Sequence, residues 1–91
     1  MRFKIYHAKN PRFGFGEQPK FPEAYDKVAI VECDELGETF RITNHIDSDW
    51  THNEEVVWLK SGGQRSTSVG DVVEDENGDF FLCAMCGWDK L

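Results

Sequence analysis

The dipeptide Asn77-Gly78 constrains the fold of this chain more than any other feature, because it separates two strongly β-forming runs. Val69, Val72 and Val73 precede it, and Phe80-Phe81-Leu82-Cys83-Ala84-Met85 follows. Both turn residues tolerate positive φ, so the pair predicts a type I′ β-hairpin. Phe3 and Ile5, alternating with Arg2, Lys4 and Tyr6, have the period of a half-buried strand. Val28-Ala29-Ile30-Val31-Glu32-Cys33 and Thr39-Phe40-Arg41-Ile42-Thr43 read as a second hairpin, turning at Asp34 to Glu38 with Gly37 supplying the bend. Thr51-His52-Asn53-Glu54 has capping-box spacing and predicts a helical turn leading into a strand at Val56-Val57-Trp58-Leu59, with Trp58 in the core and Trp88 packing the C-terminus.

Between these runs lie the breakers. All three prolines (Pro11, Pro19, Pro22) and two glycines (Gly14, Gly16) make residues 10–22 a long loop. Pro22 to Lys27 predicts one helical turn, with Pro in the first position. Residues 60–68 form a polar loop. The expected fold is α+β: a small, mostly antiparallel sheet or partly open barrel with one or two short helical turns. At 91 residues the chain makes one domain, too small to enclose a deep substrate chamber.

Charge bounds the function. Residues 1–20 carry five bases and one acid, residues 21–91 five bases and sixteen acids, and the net charge is -7. A surface of that kind repels phosphate, which disfavours direct nucleic-acid binding and favours a partner with a basic face. No apolar run approaches the ~20 residues that span a bilayer, and the first residues lack a signal-peptide core, so a cytoplasmic location is expected. Three cysteines without an export signal point to reduced thiols.

Each motif with chemical content has a plainer counterpart. Cys83-Ala84-Met85-Cys86 has the spacing of half a zinc site, which Cys33 with one of His7, His45 and His52 would have to complete; otherwise the thiols pack as small apolar groups. Arg12-Phe13-Gly14-Phe15-Gly16, with Lys20 beyond it, suggests base stacking, but flanking prolines break the strand that an RNA-recognition motif needs. Ser66 and Ser68 lie in no nucleophile elbow, and an enzyme is not expected; nor is any cofactor. Trp50, set among Asn44, His45, Asp47, Asp49 and Glu54, reads either as an interface anchor or as a core plug beneath a turn. Glu74, Asp75 and Glu76 solubilise a hairpin tip or, joined by Asp47, Asp49, Glu54, Glu55 and Asp71, present carboxylates spaced like nucleic-acid phosphates. Gly70-Asp71 has the character of a turn entering a strand, where Asp accepts backbone N–H bonds and pairs with Arg65.

The stretch Arg65-Ser66-Thr67-Ser68-Val69-Gly70-Asp71-Val72-Val73, then Phe80-Phe81-Leu82-Cys83 and Gly87-Trp88, resembles a family of small proteins encoded by tailed bacteriophages and other bacterial mobile elements. Thr43-Asn44-His45-Ile46-Asp47, Trp50 and Asn53-Glu54 extend the resemblance, which covers residues 39–91. It implies a compact protein acting inside an infected bacterium and supplies no catalytic residues. The expectation is therefore a non-enzymatic acidic module that binds or inhibits a host protein with a basic surface, through Asp47, Trp50, Glu54, Glu74, Asp75 and Glu76. A zinc- or thiol-dependent protein built on Cys83, Cys86, Cys33 and His45, or a virion component, is the alternative.

Overall fold

Alternation at Phe3 and Ile5 does produce a strand, and that strand becomes an inner member of the sheet. In a computed structural model that describes residues 1–10, 19–44, 50, 54–61, 65–85 and 87–91, β1 (Arg2–Ala8) is flanked by β2 (Tyr25–Glu32) and β4 (Val72–Glu74). With β3 (Val56–Leu59), β5 (Phe80–Ala84) and β6 (Gly87–Lys90) the order is β3-β2-β1-β4-β5-β6, and every neighbouring pair is antiparallel. Among the described residues one α-helix, α1 (Leu36–Thr43), packs against the sheet. The sheet is open, with β3 and β6 as its edges; it does not close into the barrel that was the other expected form.

Period-2 alternation sorts residues between the two faces. Phe3, Ile5, Ala29, Val31 and Val73 pack on one face against Ile42 of α1 and Trp50. Ala8, Tyr25 and Val72 face the other way, where Tyr6, Phe21, Phe80 and Leu82 join them. An extra residue in β2 shifts the register between Ile5 and Tyr6, which is how Val28 and Ala29 both reach the first face.

The helix corrects the hairpin expected over residues 28–43. Phe40 and Ile42 alternate with polar residues as in a strand, but Leu36, Thr39, Ile42 and Thr43 also fall on one helical stripe, and this is the face that is buried. The β-branched threonines are accommodated because their hydroxyls bond within the helix: Thr39 Oγ1 donates to Leu36 O at 2.6 Å, and Thr43 Oγ1 to Thr39 O at 2.7 Å. Glu38 in the first turn and Arg41 in the last suit the helix dipole. Gly37, expected in a turn, is helical.

Other boundaries also move. The turn after Pro19 spans 21–24, and the chain is already extended at Tyr25, where a helical turn was expected. The Asn77-Gly78 hairpin forms with a loop one residue longer than a two-residue type I′ turn. Asp75 N bonds Asp79 O, Gly78 N bonds Asp75 O, and Gly78 adopts φ +82°. β6 was not anticipated; Trp88 on it packs against the core. Trp58, expected in the core, is 42% exposed on β3 with Lys27 Nζ 5.1 Å from its ring centroid. Shortness, an irregular register beside β2 and this lysine blunt the edge.

Burial separates two substitutions that hydropathy alone would rank together. Ile42→Ala, at a fully buried site, is expected to cost about 2–5 kcal/mol in urea denaturation. Val57→Thr, on the exposed edge, is expected to stay within about 0.5 kcal/mol of wild type.

Candidate functional site

The densest polar chemistry lies where the β1–β4 ladder stops. Tyr6 pairs with Val72, and beyond that pair the backbone of Ala8 has no strand opposite it in β4. The side chain of Asp71 takes over; only 1% exposed, it is not one of the surface carboxylates it was expected to join. Its Oδ1 accepts Ala8 N at 3.0 Å and its Oδ2 accepts Ser68 N at 2.8 Å. Arg65 closes on both oxygens at 2.7 Å, and its remaining donors bond Ser66 O at 3.0 Å and Ala8 O at 3.2 Å. Gly70 takes φ +96° to turn the chain into this arrangement, the role expected of Gly70-Asp71 and Arg65.

Around the pair, His7 Nε2 and Thr67 Oγ1 share a hydrogen bond of 2.9 Å, and the His7 ring meets Trp50 edge-on at 6.3 Å. Trp50 is buried to 2% and donates its Nε1–H to Arg65 O at 3.0 Å. It is the core plug of the two expected roles, so as an exposed anchor it is corrected. A Thr, a His and an Asp side by side suggest a catalytic triad, but the arrangement lacks triad logic. Thr67 and Asp71 both face Nε2, at 2.9 and 4.0 Å, whereas a triad needs them on opposite ring nitrogens. All three side chains are also closed to solvent. Burial is the main cause that lowers the His7 pKa to about 4; Asp71 opposes the shift and Arg65 adds to it.

The acids divide by what they do. Asp75 Oδ1 accepts Asn77 N at 2.9 Å and Asp79 N at 3.0 Å, so this carboxylate builds the hairpin loop. Glu74 Oε1 accepts the Tyr6 hydroxyl at 2.9 Å; burial, then Glu74, pushes the Tyr6 pKa up to about 12. Glu54 and Glu76 are exposed. The register brings these groups together. Lys4 pairs with Glu74 and Arg2 with Glu32, so the hairpin tip runs on beside the start of β1 and the end of β2. Glu32 N bonds Glu55 O at 2.8 Å, which brings Glu54 and Glu55 to the same end of the sheet. Exposed Asp34 and Glu35 follow directly on β2. Arg2 pairs there with Glu32 at 3.4 Å and Arg41 with Glu55 at 3.5 Å. Asp47 and Asp49 lie outside the described residues.

The second face of the sheet holds a groove of about 600 Å³, open on its outer side and lined chiefly by Tyr6, Phe21, Tyr25, Phe80, Leu82 and Leu91. Its aromatic rings pack on one another with centroids 5.0–6.3 Å apart. Sequence reasoning missed it, although a signal existed. Phe80-Phe81-Leu82-Cys83 is apolar at both parities, so one face of β5 must find apolar company away from the main core. The contact between His7 and Thr67 was missed too, because no local pattern joins residues so far apart in sequence.

Cys33 and Cys83 are buried reduced thiols. Burial is the largest cause that raises both pKa values, to about 11 for Cys83, so neither is poised as a thiolate. Among the described residues no group of three or more His, Cys, Asp or Glu side chains is placed to hold a metal ion. Cys86 and His45, the other expected zinc ligands, lie outside those residues, as do Arg12, Phe13 and Phe15. No helix among the described residues is long and apolar enough to cross a membrane. Comparison of the chain with protein-family models, with curated proteins and with solved structures finds no match.

The buried imidazole makes folding pH-dependent. Unfolded His7 takes up a proton near 6.5 and folded His7 only near 4, so the unfolded chain binds more protons between those values. The contribution is complete above pH 6.5 and falls away as pH drops toward 4, by up to about 3 kcal/mol. The His7 ring resonances in NMR are expected to hold their neutral positions down to pH 5; titration near 6.5 would contradict this environment.

Proposed function

We propose that the protein is a non-enzymatic interaction module of the tailed-phage type, which binds a host protein with a basic surface and thereby inhibits it in the bacterial cytoplasm. One observation carries the reading: Glu54 and Glu74 to Glu76, twenty residues apart in sequence, lie at one end of the sheet with Asp34 and Glu35. Carboxylates spaced along one end attract a basic face over a Debye length and speed encounter, in the manner of a nucleic-acid mimic. The seating of Asp75 in the loop supports this, because it holds the tip in one geometry and leaves Glu76 outward. The resemblance in residues 39–91 adds the infected-cell setting.

The division of labour among the acids dictates the test. Charge reversal at Asp75 would damage the loop, and at Glu74 would break the Tyr6 hydrogen bond, so the informative variant is Glu54→Lys with Glu76→Lys. Tagged wild-type protein in bacterial lysate is expected to capture a protein with a basic face at low salt and release it at moderate salt. The double variant should associate with that partner at least about tenfold more slowly while melting at the wild-type temperature. Equal capture and equal rate would remove the acidic end from the interface.

A further inference from the structure

Two chemistries meet on the second face of the sheet. The groove has the volume of a ligand site, but the hydroxyl of Tyr6 is spent on Glu74 and that of Tyr25 on Gly70 O, so the rings present only carbon to whatever enters. Ladder register shows which charges share this face. Val72 pairs with Leu82 and Leu82 with Asp89, while Glu74 pairs with Phe80. Strands β4 to β6 therefore place two charged side chains beside the apolar floor, Glu74 and Asp89, and both are acids. Lys4 stands across from Glu74, and exposed Lys20 and Glu23 lie at the neighbouring turn rather than on these strands. Exposed Asp89 makes no ion pair with another described residue and is left as the charge beside Leu82 and Leu91.

A groove open on its outer side covers one aspect of an occupant, whereas tight small-molecule sites enclose most of their ligand. It suits a side chain delivered by a larger body. We propose that this groove receives a bulky aromatic side chain of a partner protein, carried on a segment whose adjacent Lys or Arg pairs with Asp89. The inference rests on the interaction-module reading and deepens it, giving the basic partner an aromatic anchor as well as a charge pattern. Anchors of this kind concentrate binding energy in the best-desolvated contact. Glu74 lies at once in the acidic end and beside the groove, so one partner can engage both.

The test uses the full chain labelled with 15N and three probes: a pentapeptide with Trp between two Arg, the same peptide with Glu in place of Arg, and indole alone. The Arg-flanked peptide is expected to shift the amide resonances of Val72, Phe80, Leu82 and Leu91 saturably, and to bind at least about tenfold more tightly than the Glu-flanked one. Asp89→Lys, at an exposed position, should abolish that preference, and Leu91→Ala, also exposed, should weaken the Arg-flanked peptide without altering the melt. Equal affinity for the two peptides, or indole alone binding as tightly, would overturn the proposal. Shifts confined to Glu54 and Glu76 would overturn it too, while leaving the acidic-end reading in place. Groove shifts that persist in the Glu54→Lys, Glu76→Lys variant would support the groove even if that reading failed.

Discussion

The buried carboxylate of Asp71 holds together parts of the chain that the ladder hydrogen bonds do not join. A lone buried charge is strongly unfavourable, and this one is tolerated because Arg65 meets both oxygens and two backbone amides bond to it as well. Those partners come from the end of β1 and from the loop before β4, and the guanidinium also reaches the Ala8 carbonyl. Trp50 then bonds Arg65 O, and Thr67 N bonds Thr43 O at 2.9 Å at the end of α1. Through these links helix, sheet and loop share one polar centre beneath the apolar core.

That centre explains why the two faces of the sheet differ. On the core side, α1 and Trp50 cover the strands, and the clamp fixes the chain that carries them. On the other side, among the described residues, cover comes from the short turn at residues 21–24, whose Phe21 packs against Tyr6, Tyr25 and Phe80. The remaining apolar floor forms the groove. The proposed partner side chain would seat on this groove.

Where the sequence was informative, local physics and tertiary packing agreed. Phe3 and Ile5 alternate, Asn77-Gly78 turns, and Gly70-Asp71 needs a bend and offers an acceptor; each signal is local and each element formed. The helix at Leu36–Thr43 was misread because β-branched residues favour extended chain locally, whereas burial of Ile42 against the sheet favours the helix globally. Trp58 was misplaced because four apolar residues in a row do not say whether a strand is central or at an edge. The acidic residues were legible as a set, but only strand order reveals that Glu54 and the hairpin tip share an end of the sheet and that Asp75 is structural. The groove depends on pairings among β1, β4, β5 and β6, which no short-range pattern encodes.

The most direct test of this account removes the charge that Asp71 is paired with. Urea denaturation of Arg65→Met at pH 7 should show a loss of about 3 kcal/mol, since the carboxylate would stay buried without its counter-ion. Asp71→Asn in the same background should then cost little more, so that the double-mutant cycle shows strong coupling. A loss below about 1 kcal/mol for Arg65→Met, with additive effects in the double variant, would contradict the claim that this pair organises the fold.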